Sequence, residues 1–486
     1  MSRPEDTMDV EDLEPCRSIR IALIHLAVGC LILVALFLTV HNRNLESDSF
    51  EETWVASGVF QDRWTDLADH WIEDGYLANA GLWYLNSDRS FRIWVTEPEI
   101  SNSGWISKET YDPEAQYYYR SNPILSLAPL AAAQRLKTAV AGGSASRSVT
   151  ILYGQTLTML TGCLIGIVAT VCCRRIGLPF LHALALGICA QIVFQTHPLN
   201  LAAYFRLFFQ HALMLPTMLV IVSLLMPGHP RTAGWIRATG MLLLSLAEPV
   251  TGFAFIVGYL VLGVLIDRTI PWFRRDQDGI LRSHRFGLTI VLPWLGAMAI
   301  ILLQLTLAKS LIPNAELVGA TSSFRTGLDG NTRWYTNLHG AFRKMVFANY
   351  LYGPGRSNIG GSPIFWGAGF ASIAIVILSA AWTRKRGRSN EAIHLTAFIT
   401  ALLSTMFGIL AVTFNNAMAI HPFIYPLMIL PGMCLAMFAF LPAIIARTAK
   451  STWPVVALIV FIAFTATMAN IRYFSVTFPI SSAAGN

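Results

Sequence analysis

Marked only as apolar or polar, the chain is a series of long apolar runs separated by short polar turns. The runs cover 21–40, 151–172, 178–195, 202–226, 235–247, 250–266, 286–308, 364–382, 392–413, 423–442 and 454–470. Several exceed the roughly 20 residues that cross a bilayer as a helix. Lipid offers no partner to a free N–H or C=O, so runs of this kind fold as helices. The pattern predicts an all-α polytopic membrane protein with about eleven transmembrane helices. Two long polar stretches interrupt it, 42–149 after the first span and 309–363 after the seventh, and a polar tail, 1–20, precedes it. No internal repeat is visible.

Basic residues give the expected orientation. Arg17 and Arg20 abut the first run, Arg174 and Arg175 end the second, and Arg268 to Arg285 and Arg384 to Arg388 follow the sixth and eighth. Lys and Arg stay on the cytoplasmic side of a membrane. One assignment puts every basic turn and the N-terminal tail there, and both long stretches and the C-terminal tail outside. The first run, with no small-residue cleavage site, is expected to be a signal anchor. Localisation follows as multi-pass, in the plasma (inner) membrane. Hydrophobic residues make up 54% of the chain against 13% charged, so the net charge of +7 reflects topology. No basic stripe stands apart from the turns, and no nucleic-acid partner is expected. The seven cysteines fall in the tail, the spans or their edges, which excludes a disulfide framework in the long stretches.

The chemistry-bearing types gather in the first long stretch. Of the 28 acidic residues, 15 lie between Asn42 and Thr150, interleaved with Trp64, Trp71, Tyr76, Trp83, Tyr84 and Tyr117 to Tyr119. Within it, Glu73-Asp74-Gly75-Tyr76-Leu77-Ala78-Asn79-Ala80 and Arg120-Ser121-Asn122-Pro123-Ile124-Leu125 resemble the acidic and proline-rich motifs of the GT-C superfamily of membrane glycosyltransferases. That superfamily includes protein O-mannosyltransferases, aminoarabinose transferases and arabinofuranosyltransferases. The layout is similar too, with long external segments after spans 1 and 7. The resemblance implies an active site between those segments and a polyprenyl-phosphate sugar donor. The acceptor would be a glycan, a lipid or a protein on the outer face. Two departures stand: Ser-Asn-Pro replaces paired prolines, and the acidic motif lies further from span 1 than the superfamily pattern.

At about 100° per residue, a helix over 62–74 puts Trp64, Leu67, Ala68, Trp71 and Ile72 on one face and Asp62, Asp66, Asp69, His70 and Glu73 opposite. Such a helix suits the membrane interface. Solvation accounts for most of its acids. Asp74 projects instead at the edge of the apolar face, where a poorly solvated carboxylate makes a better proton acceptor. A cap or an ion pair would explain it as well; the resemblance favours the general base of an inverting transfer.

A leaving phosphate needs fixed positive charge. Arg206 lies within an apolar run, where charge is costly, although snorkelling to headgroups also accounts for it. Arg325, Arg333 and Arg356 lie in the second long stretch, Arg356 within the glycine-rich Tyr352 to Gly361. A plain turn is the alternative there. Tyr76, Asn122, Glu248, Asn415 and His421 are candidates for the acceptor or sugar. Glu248 stands alone as an acid between apolar spans, and its alternatives are a pair with Arg206 or the start of the helix after Pro249. No metal-ligand spacing such as HExxH occurs, so no cofactor is certain and a divalent cation held by Asp and Glu stays open. Two readings from other classes compete: a transporter or flippase for a lipid-linked or anionic solute, and a non-catalytic scaffold of an envelope complex.

Overall fold

The computed structural model describes residues 15–41, 69, 71–72, 82–84, 114–119, 128–144, 147–201, 209–226, 229–267, 286–312, 314–318, 363–385, 391–413, 426–449 and 451–477. Within the described residues, each apolar run is largely helical. In chain order they are α1 (Pro15–His41), α2 (Ala128–Ala141), α3 (Arg147–Ile176), α4 (Phe180–Thr196), the single turn α5 (Pro198–Leu201), α6 (Phe209–Leu224), α7 (Pro230–Ala247) and α8 (Pro249–Asp267). Next come α9 (Leu292–Leu311, entered through the π-helical turn Gly287–Val291), α10 (Pro363–Lys385) and α11 (Glu391–Thr413). The helix α12 (Pro426–Leu435) runs on through a second π-helical turn, Ala436–Phe440, into α13 (Leu441–Thr448), and α14 (Trp453–Thr477) follows.

By length and composition, seven helical stretches can cross a membrane among the described residues: Ile19–Leu38, Ser148–Ile176, Gly287–Leu311, Ile364–Thr383, Glu391–Thr413, Met428–Thr448 and Trp453–Arg472. Phe180–Thr196, Ala212–Leu224 and Pro249–Leu262 are apolar but shorter. Burial sorts these helices into inner and outer ones. Residues of α3, α4, α6, α7, α8, α10, α11 and α12 form one continuous apolar core. By contrast α1, α9 and α14 leave large apolar side chains exposed, among them Leu31, Leu38, Leu302, Leu303, Phe461 and Phe464. Exposed apolar surface on that scale is ruinous in water and is what a lipid-facing helix presents.

Turn chemistry sets where helices stop. Gly177 has a φ of +108°, and past it the Leu178 N–H reaches the Cys173 carbonyl at 3.1 Å, closing α3 in a Schellman-type cap. Between α7 and α8 the cause is proline. The residue before a proline is pushed out of helical geometry, and Glu248, ahead of Pro249, is extended at φ −157°, ψ 103°. The short connections make α3 and α4, α6 and α7, and α7 and α8 antiparallel neighbours. One end of the bundle therefore carries both long stretches together with the 197–201 and 248 turns.

A small sheet completes the fold at that end. β1 (Trp83–Tyr84) pairs antiparallel with β2 (Gln116–Tyr119), which pairs parallel with β3 (Ala315–Val318). In register, Gln116 faces Ala315 and Tyr119 faces Val318. Leu82 and Tyr118 pack on Ala308 and Ile312 at the end of α9, which roots the sheet on the bundle. The sequence pattern predicted neither this sheet nor α2, which lies inside the first long stretch and is fixed to α3 by Gln134 Nε2 donating to Thr150 Oγ1 at 3.1 Å.

Candidate functional site

The three strands join the two long stretches directly. β1 and β2 belong to the first and β3 to the second. Backbone bonds hold the junction: besides the strand pairing, the Gln116 N–H donates to the Asn314 carbonyl at 3.1 Å. Asn314 reaches this position with a φ of +54°, a left-handed conformation that Asn tolerates better than most residues. Tyr118 Oη donates to Gln116 Oε1 at 3.1 Å across the same strand. The strands thus tether the first long stretch to the second at positions 83–84, 116–119 and 315–318.

Of the candidate donor, acceptor and catalytic residues drawn from the sequence, the structure describes one. Glu248 is buried, at 4% exposure, in the turn between α7 and α8. Its N–H donates to the Leu244 carbonyl and its own carbonyl accepts from Gly252, so both of its backbone groups are satisfied across the break. Trp294 Nε1 donates to the Pro249 carbonyl at 3.0 Å and braces the turn from α9. The helix start at Pro249, one of the two structural explanations of Glu248, is present. Asp74, Tyr76, Asn122, Arg206, Arg325, Arg333, Arg356, Asn415 and His421 lie outside the described residues. For the helix expected over 62–74, the described positions 69, 71 and 72 are helical, Trp71 is buried and Asp69 is half-buried.

Other polar residues at this end were not among the sequence candidates. His197 is buried in the turn after α4; its Nδ1 accepts the Leu199 N–H at 3.2 Å, which leaves the proton of the neutral ring on Nε2. Phe365 and Trp366, at the start of α10, pack around that imidazole with ring centroids 5.0 and 6.2 Å away. Gln155, Gln195 and Asn200 are also buried there. Among the described residues no group of three His, Cys, Asp or Glu side chains is placed to hold a metal ion.

Deeper in the bundle, α1 is clasped to α3 and α4 by a polar network. Gln191 Nε2 donates to the His25 carbonyl at 2.9 Å, which orients its Oε1 to accept from His25 Nδ1 at 2.7 Å. The Thr170 hydroxyl then meets His25 Nε2 at 2.9 Å. Gly166 and Gly187 make room for it: a Cβ on Gly166 would strike the imidazole, and one on Gly187 the Thr170 hydroxyl. This is small-residue packing with a hydrogen bond as the clasp. It fixes the helix that leads into the first long stretch. A lone His in an apolar run, with Gln191 and Gln195 at four-residue spacing on another, was the available sequence signal.

No protein-family model and no curated protein matches this chain. Solved structures do. The chain is similar to ArnT. Over 94% of its length and 77% of the other it aligns with the crystal structure of ArnT from Cupriavidus metallidurans in the apo state, at 12% identity and a TM-score of 0.43. With the same protein bound to undecaprenyl phosphate, coverage is 93% and 77%, identity 14% and the TM-score 0.44. At such TM-scores the ArnT likeness is too loose to carry an argument about chemistry.

Proposed function

We propose that this protein is an integral-membrane glycosyltransferase that moves a sugar from a polyprenyl-phosphate donor to a glycan, lipid or protein acceptor on the outer face of the plasma membrane. The observation that carries the reading is the β2–β3 pairing, which brings together the two long stretches whose residues divide the chemistry between them. The first supplies Asp74, Tyr76 and Asn122; the second supplies Arg325, Arg333 and Arg356. The donor is of the same chemical class as the undecaprenyl phosphate in the ArnT structure, but the reading rests on this chain's own arrangement.

In this reading Asp74 takes the proton of the acceptor hydroxyl as its oxygen attacks the anomeric carbon from the face opposite the phosphate. The bond from that carbon to the phosphate oxygen breaks, the configuration inverts, and polyprenyl phosphate leaves with the bonding electrons. Arg206 and Arg356, with Arg325 and Arg333 beside them, stabilise the charge that develops on the phosphate. Tyr76, Asn122, Glu248, Asn415 and His421 hold sugar and acceptor hydroxyls. Burial of Glu248 at the loop-bearing end suits that role, because a buried carboxylate binds a hydroxyl more strongly than a solvated one.

The test is mass spectrometry of lipid co-purified with the full chain, followed by transfer assays using that lipid's sugar. A polyprenyl-phosphate sugar consumed with release of polyprenyl phosphate supports the reading. Uptake of the intact lipid across a vesicle without bond cleavage would establish the transporter instead.

A further inference from the structure

Three buried amides converge at the loop-bearing end between α1, α3 and α4. Gln155 and Gln195 are each 3% exposed and Asn200 1%. All three line one partly open cavity of about 10 Å³, together with Ile32, Leu33 and Leu36 of α1 and Thr158 and Met159 of α3. Two of the amides have a fixed orientation. Gln195 Nε2 donates to the Met159 carbonyl at 3.2 Å, and Asn200 Nδ2 donates to the Phe194 carbonyl at 2.6 Å. Turning either amide over would set oxygen against oxygen, so the atoms left over are Gln195 Oε1 and Asn200 Oδ1, both acceptors. Among the described residues neither has a partner, nor does either polar atom of Gln155.

We propose that Gln155, Gln195 and Asn200 form a binding site for a single water molecule. The size is right, since one water needs a space of about 10–15 Å³ and two to four polar partners. The donor count also fits. Water gives its two hydrogens to Gln195 Oε1 and Asn200 Oδ1 and accepts one from Gln155 Nε2. A bare monovalent cation would suit the oxygens, but no carboxylate lines the cavity and a charge beside lipid is costly. Span α1 contributes only apolar side chains, so it acts as a lid over a polar site built by α3, α4 and the α5 turn. The water joins the start of α3 to the end of α4, next to His197.

Water-edited solid-state NMR of the full chain, ¹⁵N-labelled and in lipid bilayers, tests this. Magnetisation starting on water should reach the side-chain amides of Gln155, Gln195 and Asn200, while the buried amide of Gln134, already bonded to Thr150, stays dark. Gln155→Met, which fills the cavity, should abolish transfer to Gln195 and Asn200. Absence of transfer to all three amides in the wild-type protein would overturn the proposal without needing any variant. A thermal midpoint that rises with Na⁺ or K⁺ at constant ionic strength, and loses that response in Gln155→Met, would replace the water with a cation and overturn it too.

Discussion

The two ends of the bundle treat buried polar groups in opposite ways. At the end away from the long stretches, arginines complete the helices. Arg174 Nη1 donates to the Leu178 carbonyl at 2.7 Å, Arg175 Nη2 to the Leu225 carbonyl at 2.9 Å, and Arg237 Nε to Ser223 Oγ at 3.1 Å. The first two cap backbone carbonyls past or at helix C-termini with charge of the favourable sign, and among the described residues Arg175 Nε and the Tyr259 hydroxyl beside Arg237 are left over. At the loop-bearing end, Gln155, Gln195, Asn200, Trp366 and Asn470 all keep buried polar atoms without a protein partner, and Glu248 is a buried acid. A buried group left unsatisfied costs about 1–3 kcal/mol. Among the described residues, more such groups gather at the loop-bearing end, where ligands or water can offset the cost.

The contrast fails if the ends face the wrong way, and that test is all-or-none. Cysteines introduced by Ser101→Cys and Ser389→Cys should label differently with an impermeant reagent: the first in intact cells, the second only after permeabilisation. The reverse pattern would put the loop-bearing end in the cytoplasm and remove the basis for an outer-face transferase.

Next in size is the base. Asp74→Asn keeps shape but cannot take a proton, and general-base help is worth about 10²–10⁴-fold in rate. Transfer should fall by that factor while donor lipid still co-purifies. Asp66→Asn and Asp69→Asn should change little, because the sequence pattern puts both on the polar face of the helix expected over 62–74. Full turnover in Asp74→Asn, with loss in either of the other two, would reassign the base.

The phosphate site should respond less steeply. Lys keeps the charge of Arg but not its two-pronged geometry, so Arg206→Lys and Arg356→Lys should each lower kcat/KM about tenfold or more, in line with charged hydrogen bonds worth about 1.5–3 kcal/mol. If only one of the two responds, the other leaves the site. At the opposite end the signature should invert. Arg175→Met removes the cap on the Leu225 carbonyl and should cost a similar free energy in thermal unfolding while kcat stays put. A fall in kcat without a fall in stability would erase the distinction between the ends.

What the sequence disclosed follows from the range of the forces involved. Helices were legible because the hydrophobic pattern is local: the described parts of the apolar runs are largely helical, and the break at Glu248-Pro249 came from a rule about adjacent residues. The helix α2 was missed because Ala128 to Ala141 is alanine-rich without a strong apolar stripe. The sheet was missed because β1 is two residues long and β3 lies about two hundred positions after β2. Pairing at such range is decided by the bundle that brings the strands together. Within the site, Glu248 stood out as a charge among apolar residues. Gln155, Gln195 and Asn200 did not, since an amide becomes informative only when its partners are known.

The joint between the long stretches offers the smallest and most local test. Asn314 holds its left-handed backbone at the entrance to β3, where its carbonyl receives the Gln116 N–H. A residue with a Cβ and no side-chain amide pays about 1–2 kcal/mol for that conformation, whereas glycine adopts it freely. Asn314→Gly should therefore be nearly silent in thermal unfolding, and Asn314→Ala should cost about 1 kcal/mol or slightly more. Asn314→Val should cost more again, because a β-branched side chain is still less tolerant of positive φ. If the joint also positions the two stretches for transfer, kcat should fall in the same order, glycine least and valine most. Equal stability for glycine and alanine would mean that the left-handed turn is not maintained, and with it the β2–β3 register that joins the two long stretches.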